Sequence, residues 1–170
     1  MSELTQSRLK ALLHYEPDTG AFKWLVATNN SVRVGQVAGC VGGHGYVQIR
    51  LDGRQYLAHR LAWLYMTGEW PDADLDHINR VKSDNRLANL REATRSKNMG
   101  NKSMSKNNSS GVKGVTWDKS RGKWQAKIME NGNNRFLGHF TDLDAAASAY
   151  ASAAREYFGE FAHPAGDATQ

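Results

Sequence analysis

Between Leu75 and Asn101 the chain reads LDHINRVKSDNRLANLREATRSKNMGN, a stretch dense in His, Asp and Asn. His77 is the only histidine of the chain with a carboxylate directly beside it, Asp76. Asn98 follows 21 residues later, just past Thr94. Asn and Asp are also ordinary turn formers, so any one of them alone says little. Together they describe a small oxygen-rich pocket with one imidazole. Carboxylate and carboxamide oxygens suit hard cations such as Mg²⁺, whereas Zn²⁺ would want cysteines or more histidines. A cation of this kind binds phosphate oxygens, and a neutral imidazole takes a proton from water, which points to phosphodiester hydrolysis.

Those side chains need elements to hold them. Adjacent residues on a strand point to opposite faces, so Asp76 and His77 can serve one phosphate only where a strand breaks into a loop. Asn89 is placed to pin that loop, and Thr94 is placed to cap a short helix running to about Lys102 that returns Asn98. Upstream, Leu4, Leu9, Leu12 and Leu13 predict a short amphipathic helix, and Pro17 to Gly20 a turn. From Tyr46 the sequence alternates; Asp52-Gly53 is a hairpin signal, Arg54 to Ala58 a returning strand, and His59 to Met66 a helix stopped at Gly68 and Pro71. The glycines of GCVGGHGY lack the GK[ST] of a phosphate loop and read as a turn or bulge before the hairpin.

Residues 101–110, NKSMSKNNSS, predict a linker. Beyond it Gly111 to Trp117, Lys123 to Glu130 and Arg135 to Phe140 read as three strands. Thr141 and Asp144 form a capping-box signature for an alanine-rich helix ending at Gly159. In the second strand Trp124, Ala126 and Ile128 share one face, and Lys123, Gln125 and Lys127 the other. One side is buried under the helix and the other is open and basic.

Composition narrows the class. The chain has 170 residues, 40% of them hydrophobic, with 5 Trp, 6 Tyr and 5 Phe. That is enough for one ordinary domain or two small ones. No apolar run is long enough for a membrane helix, and MSELTQSRLK lacks the apolar stretch of a signal peptide, so a soluble, cytoplasmic protein is expected. A lone Cys40 rules out an internal disulfide. The net charge of +5 is unevenly spread: residues 77–135 carry 14 Lys and Arg against Asp84, Glu92, Asp118 and Glu130. A basic middle between acidic ends fits a polyanion partner, nucleic acid before membrane, although a solvated lysine face gives the same count.

The run DHIN, the following DNRxxNLRxAT and Asn98 resemble the HNH endonuclease motif in the form found in phage and intron-encoded homing endonucleases. The resemblance implies His77 as general base, Asp76 and Asn98 as ligands of one Mg²⁺ or Mn²⁺, and Asn89 as the asparagine that holds the loop. Its third letter is Asn98 where the family name has histidine. The upstream DGRQYLAHRLAWLYMTGEWP is similar to the lead-in of phage HNH proteins. There His59 and Arg60 recur as accessory candidates, with His59 packing or contacting a phosphate. SSGVKGVTWDKSRGKWQAKI, RFLGHF and TDLDAAASAYASAA resemble the AP2 domain, which lays a three-stranded sheet in the DNA major groove. The matching sheet positions are Lys113, Thr116, Lys127 and Met129, with Lys119, Arg121, Lys123 and Arg135 nearby; Trp117 either touches sugar or packs.

The expected fold is therefore α+β. An N-terminal ββα-metal (HNH) nuclease domain occupies 1–100, its core at about 74–102, with a preceding hairpin and helices. After the linker, a three-stranded antiparallel sheet plus one helix (AP2-like) occupies 111–163, and 164–170 is a tail. The expected function is metal-dependent cleavage of double-stranded DNA, nicking by default, in a bacterial host if the gene is phage-borne, with no obligatory protein partner. The alternatives are a DNA-binding regulator with an inactive HNH domain and, with no RNA-module signature to favour it, an RNA-binding or structural accessory protein.

Overall fold

A computed structural model describes residues 4–101, 104–105 and 107–163 of the chain. Two compact units separate between Glu92 and Ala93. Among the described residues no helix is long and apolar enough to cross a membrane.

In the first unit, Thr5 caps helix α1 (Gln6–Leu12), its side chain accepting from the Arg8 amide. The chain passes directly into the hairpin β1 (Leu13–Glu16) and β2 (Ala21–Trp24), closed by the expected turn at 17–20. Strands β3 (Cys40–Val41), β4 (Val47–Leu51) and β5 (Arg54–Leu57) form an antiparallel sheet in that order. Asp52 and Gly53 take φ of 47° and 81°, the two left-handed residues that a tight hairpin twisting with its strands requires. Helix α2 (Ala58–Thr67) ends at a left-handed Gly68. Strand β6 (Asp74–His77) pairs with β7 (Leu90–Ala93), and a single 3₁₀ turn, Leu87–Asn89, leads into β7. Leu9, Leu13, Tyr15, Phe22, Ile49, Leu51, Leu61 and Leu64 are fully enclosed in the core beneath these elements.

The strands β1, β2 and β3 go beyond the sequence reading. LHYE and AFKW are too short to establish an alternating period, and β1 follows α1 without a break. Their hairpin is a buttress for the loop between β6 and β7. The Tyr15 hydroxyl donates to the Asn85 carbonyl (2.8 Å) and accepts from the Leu87 amide (3.0 Å). Gly20, at φ 72°, lies so close that a Cβ would sit 2.4 Å from the Arg86 nitrogen.

The second unit opens with α3 (Arg95–Asn101) and continues through β8 (Val115–Asp118), β9 (Lys123–Glu130), β10 (Asn133–Phe140) and α4 (Leu143–Phe158). The sheet is antiparallel, ordered β10-β9-β8. Val115, Ala126 and Ile128 are buried with Ala146, Tyr150, Ala153, Ala154 and Phe158 of the helix. The first strand starts at Val115, later than expected, because the left-handed Gly114 precedes it. The third starts two residues early, at Asn133. The helix is capped by Asp142, whose side chain accepts from the Ala145 amide, in place of the expected Thr141. Because Ala145 has no side-chain acceptor to reach back, the reciprocal capping box expected with Asp144 does not form.

The break between units falls upstream of the expected linker because α3 packs into the second unit. Gly100 lies so close to the Phe158 ring that a Cβ would approach within 2.6 Å, and Lys113 Nζ donates to the Gly100 carbonyl (2.8 Å). The end of the polar run is also tied down. Ser110 Oγ donates to Val115 O (2.7 Å), and Asn108 Oδ1 accepts from the Gly111 amide (2.8 Å). Residues 102, 103 and 106 of the expected linker and the expected tail at 164–170 lie outside the described residues.

Candidate active site

Strand β6 delivers Asp76 and His77 to the point where regular pairing gives way to a loop. His77 is 4% exposed. The first turn beyond it is closed by the Arg80 amide on the His77 carbonyl (2.9 Å), with Arg80 at a left-handed φ of 63°, an uncommon conformation for a side-chain-bearing residue. Burial lowers the His77 pKa below the ordinary imidazole value, while the Asn85 carboxamide and the Asp76 and Asp84 carboxylates pull the other way. The net direction leaves the ring neutral at pH 7, the form a general base needs.

Asn89 organises the loop. Its Oδ1 accepts from the Asn79 amide (3.0 Å), and its Nδ2 donates to Asn79 Oδ1 (3.0 Å) and to the Asp84 carbonyl (2.9 Å). Its own carbonyl accepts from Ile78 (2.9 Å), so main chain and side chain of one buried residue fasten both limbs. Asp84 adds a second tie. Its carboxylate accepts from Asn79 Nδ2 (2.7 Å) and from Arg86, and the Arg86 bond above all holds its pKa down at about 2. Neither Asn79 nor Asp84 was singled out by sequence reading. The local signal was present, since Asn and Asp at such spacing commonly hydrogen-bond a loop backbone.

Asp76 is paired to Arg91 of β7 (3.0 Å), with the two side chains 11% and 16% exposed. This pairing fixes the carboxylate against the strand beside it, a positioning role that sequence reading did not give Arg91. Asn98 belongs to α3 of the second unit, where its amide bonds the Thr94 carbonyl (2.9 Å) and Thr94 Oγ1 accepts from Lys97 as the expected cap. Its side-chain oxygen is buried without a hydrogen bond. No group of three or more His, Cys, Asp or Glu able to hold a metal occurs among the described residues. The two residues expected to hold a hard divalent cation thus belong to different units: the Asp76 carboxylate is ion-paired with Arg91, and the Asn98 carboxamide oxygen is buried without a hydrogen bond. Both are oxygen donors of the kind such a cation takes. His59 is 5% exposed, its ring 5.0 Å from that of His77, so it packs within the first unit. Arg60 lies over Trp70 (5.9 Å).

The second unit sorts the remaining candidates by face. Cross-strand partners share a side, so Thr116, Lys123, Gln125, Lys127 and Met129 lie on the open face with Phe136, which is 56% exposed. Lys119 and Arg121 occupy the turn after β8, Arg121 paired with Asp118 (3.3 Å). Two candidates stand apart. Arg135 pairs in register with Ile128 on the helix side, ion-paired with Glu130 and lying over the Tyr157 ring (5.4 Å). Lys113 turns its ammonium onto the last carbonyls of α3. Trp117 packs edge-on against Trp124 (4.9 Å) while remaining 45% exposed.

Comparison with known proteins locates the matching segment. A family profile described as HNH endonuclease matches residues 56–100. A protein of Acanthamoeba polyphaga mimivirus named uncharacterized HNH endonuclease L560 is 34% identical over 125 residues, 73% of this chain and 64% of its own. Protein 3.8 of Escherichia phage T7 is 31% identical over 105 residues, 61% of this chain and 86% of its own. The chain thus spans less than two thirds of the mimivirus protein's length. A solved structure titled DNA binding and cleavage by the HNH homing endonuclease I-HmuI aligns with a TM-score of 0.39 at 20% identity, covering 56% of this chain and 53% of that one.

Proposed function

Because the chain belongs to the HNH endonuclease family, we propose that it is a metal-dependent DNA endonuclease that nicks one strand of a duplex by hydrolysing a phosphodiester bond, with His77 as the general base. The observation that carries this reading is a buried imidazole, its pKa lowered by burial, at the mouth of a loop that Asn89 fastens from both sides.

In this reading His77 takes a proton from the attacking water, Asp76 and Asn98 would be the residues that hold one Mg²⁺ or Mn²⁺, and Asn89 keeps the base in place. The cation, when bound, offsets charge on the scissile phosphate and its leaving oxygen. Arg91 holds the Asp76 carboxylate in one orientation. The products would be a 5′-phosphate and a 3′-hydroxyl. Supercoiled plasmid incubated with the protein and Mg²⁺ is expected to convert to open circles, and EDTA to stop the conversion. A protein that binds the plasmid and leaves it supercoiled under every divalent ion tried overturns the catalytic reading and leaves a DNA-binding regulator.

The second unit is proposed to dock the enzyme on duplex DNA in the manner of an AP2-like domain, through the open sheet face and the turn after β8. Lys123, Lys127 and Lys119 would contact phosphates there, which positions the protein without reading sequence. Arg135 and Lys113, engaged elsewhere, are left out of this surface. Lys123→Ala and Lys127→Ala are each expected to weaken binding similarly on all sequences. Each should reduce the slope of log K against log salt by about 1, read from Kd titrations between low and moderate salt. Unchanged slopes would place the DNA on another face.

A further inference from the structure

His59 occupies the first turn of α2, beside the buried Ala58, Leu61 and Ala62, and is itself almost fully enclosed. Its Nδ1 is buried without a hydrogen bond, so hydrogen bonding at that atom does not account for a histidine here. What the ring does make is a set of aromatic contacts. The His77 ring stands nearly perpendicular to it, with centroids 5.0 Å apart and planes at 82°, and the Tyr46 ring lies 5.2 Å away. Tyr46 also meets His77 directly at 5.9 Å, so the three rings close on one another. The outer side of Tyr46 is held in turn: Lys82 Nζ sits 4.9 Å from its ring centre and donates to the His44 carbonyl (3.0 Å).

Two torsions decide where an imidazole's nitrogens point, the second of them broad, and at His77 packed rings on the flank restrict that second torsion alongside the bond to the Asn85 carboxamide. We propose that His59 is a positioning residue for the general base, its ring plane setting the orientation of the His77 imidazole, with Tyr46 closing the far side of the same slot. His59 stays neutral at pH 7, because burial drives its pKa down to about 4 with the nearby His77 adding to the effect, so it flanks the base without adding a charge. This inference rests on the reading of His77 as base and extends it to a residue in a different element, α2.

The test compares two replacements that fill the space. His59→Phe keeps a flat ring of similar size, and His59→Leu keeps bulk without the plane. His59→Leu is expected to lower kcat for plasmid nicking about 10- to 100-fold, as losses of supporting contacts around a reactive group commonly do, with KM unmoved. His59→Phe is expected to recover most of that loss. In the DNA-free protein, NMR of the His77 imidazole should show one orientation in wild type and His59→Phe, and exchange between orientations in His59→Leu. A His59→Leu enzyme with wild-type kcat, or a folded His59→Phe enzyme as poor as His59→Leu, overturns the proposal. Full cleavage by His77→Ala would overturn the base assignment instead, and the imidazole spectra still report whether His59 orients that ring.

Discussion

His77→Ala is expected to abolish strand cleavage while leaving DNA binding in place. General-base participation accounts for roughly 10²–10⁴-fold in rate, and alanine has nothing with which to take the proton. When the imidazole is removed the loop keeps its hydrogen bonds among Asn79, Asp84, Asn89 and the backbone, and the His77 carbonyl keeps its bond to Arg80, while the ring's own bond with the Asn85 carboxamide is lost. The sheet face of the second unit lies outside the change altogether. Cleavage rates and Kd measured side by side on one duplex therefore separate chemistry from docking. Parallel loss of both would mark His77 as a structural residue, and retained cleavage would move the base elsewhere.

Substitution of Asn89 is expected to have the second-largest effect, and two replacements give different answers. Alanine removes three side-chain hydrogen bonds at a buried position and strands the Asp84 carbonyl. Water can reach Asn79, so the destabilisation should be about 2 kcal/mol, toward the middle of the range for one unsatisfied buried group. Aspartate keeps the acceptor for the Asn79 amide but sets a carboxylate against two oxygens that had received donors. Asn89→Asp should therefore be at least as unstable as Asn89→Ala at neutral pH. Both should cut the nicking rate about 10- to 100-fold as the loop slackens around the base. Urea denaturation and nicking assays read the two effects. An Asn89→Asp protein with wild-type stability and rate would show that the donor half of the carboxamide does nothing.

Much of this arrangement could be read from the chain. The Asp52-Gly53 turn, the α2 helix with its Gly68 stop, the three strands of the second unit and its alanine-rich helix each carry a local signal strong enough to act alone. Thr94 caps a short helix as its side chain requires. What escaped has a common cause: it depends on partners distant in sequence. The Tyr15 contacts to residues 85 and 87 leave no trace in local periodicity. Arg135 and Lys113 look like any other basic side chains in a linear text. Only the strand register, and the end of a neighbouring helix, turn them away from the open face. His59 was legible as an accessory candidate, whereas its ring geometry against His77 was not, because residues 18 positions apart meet only after α2 and β6 have packed.

The hairpin that leans on the loop through Tyr15 and Gly20 lies wholly outside the recognisable stretch at residues 56–100. The signature is therefore not a portable cassette. A graft of residues 56–100 onto another scaffold would carry the reactive side chains but leave the Asn85 carbonyl and the Leu87 amide to be met by whatever the host supplies. Drift in an unremarkable tyrosine near the amino terminus would reach the reaction centre by the same route.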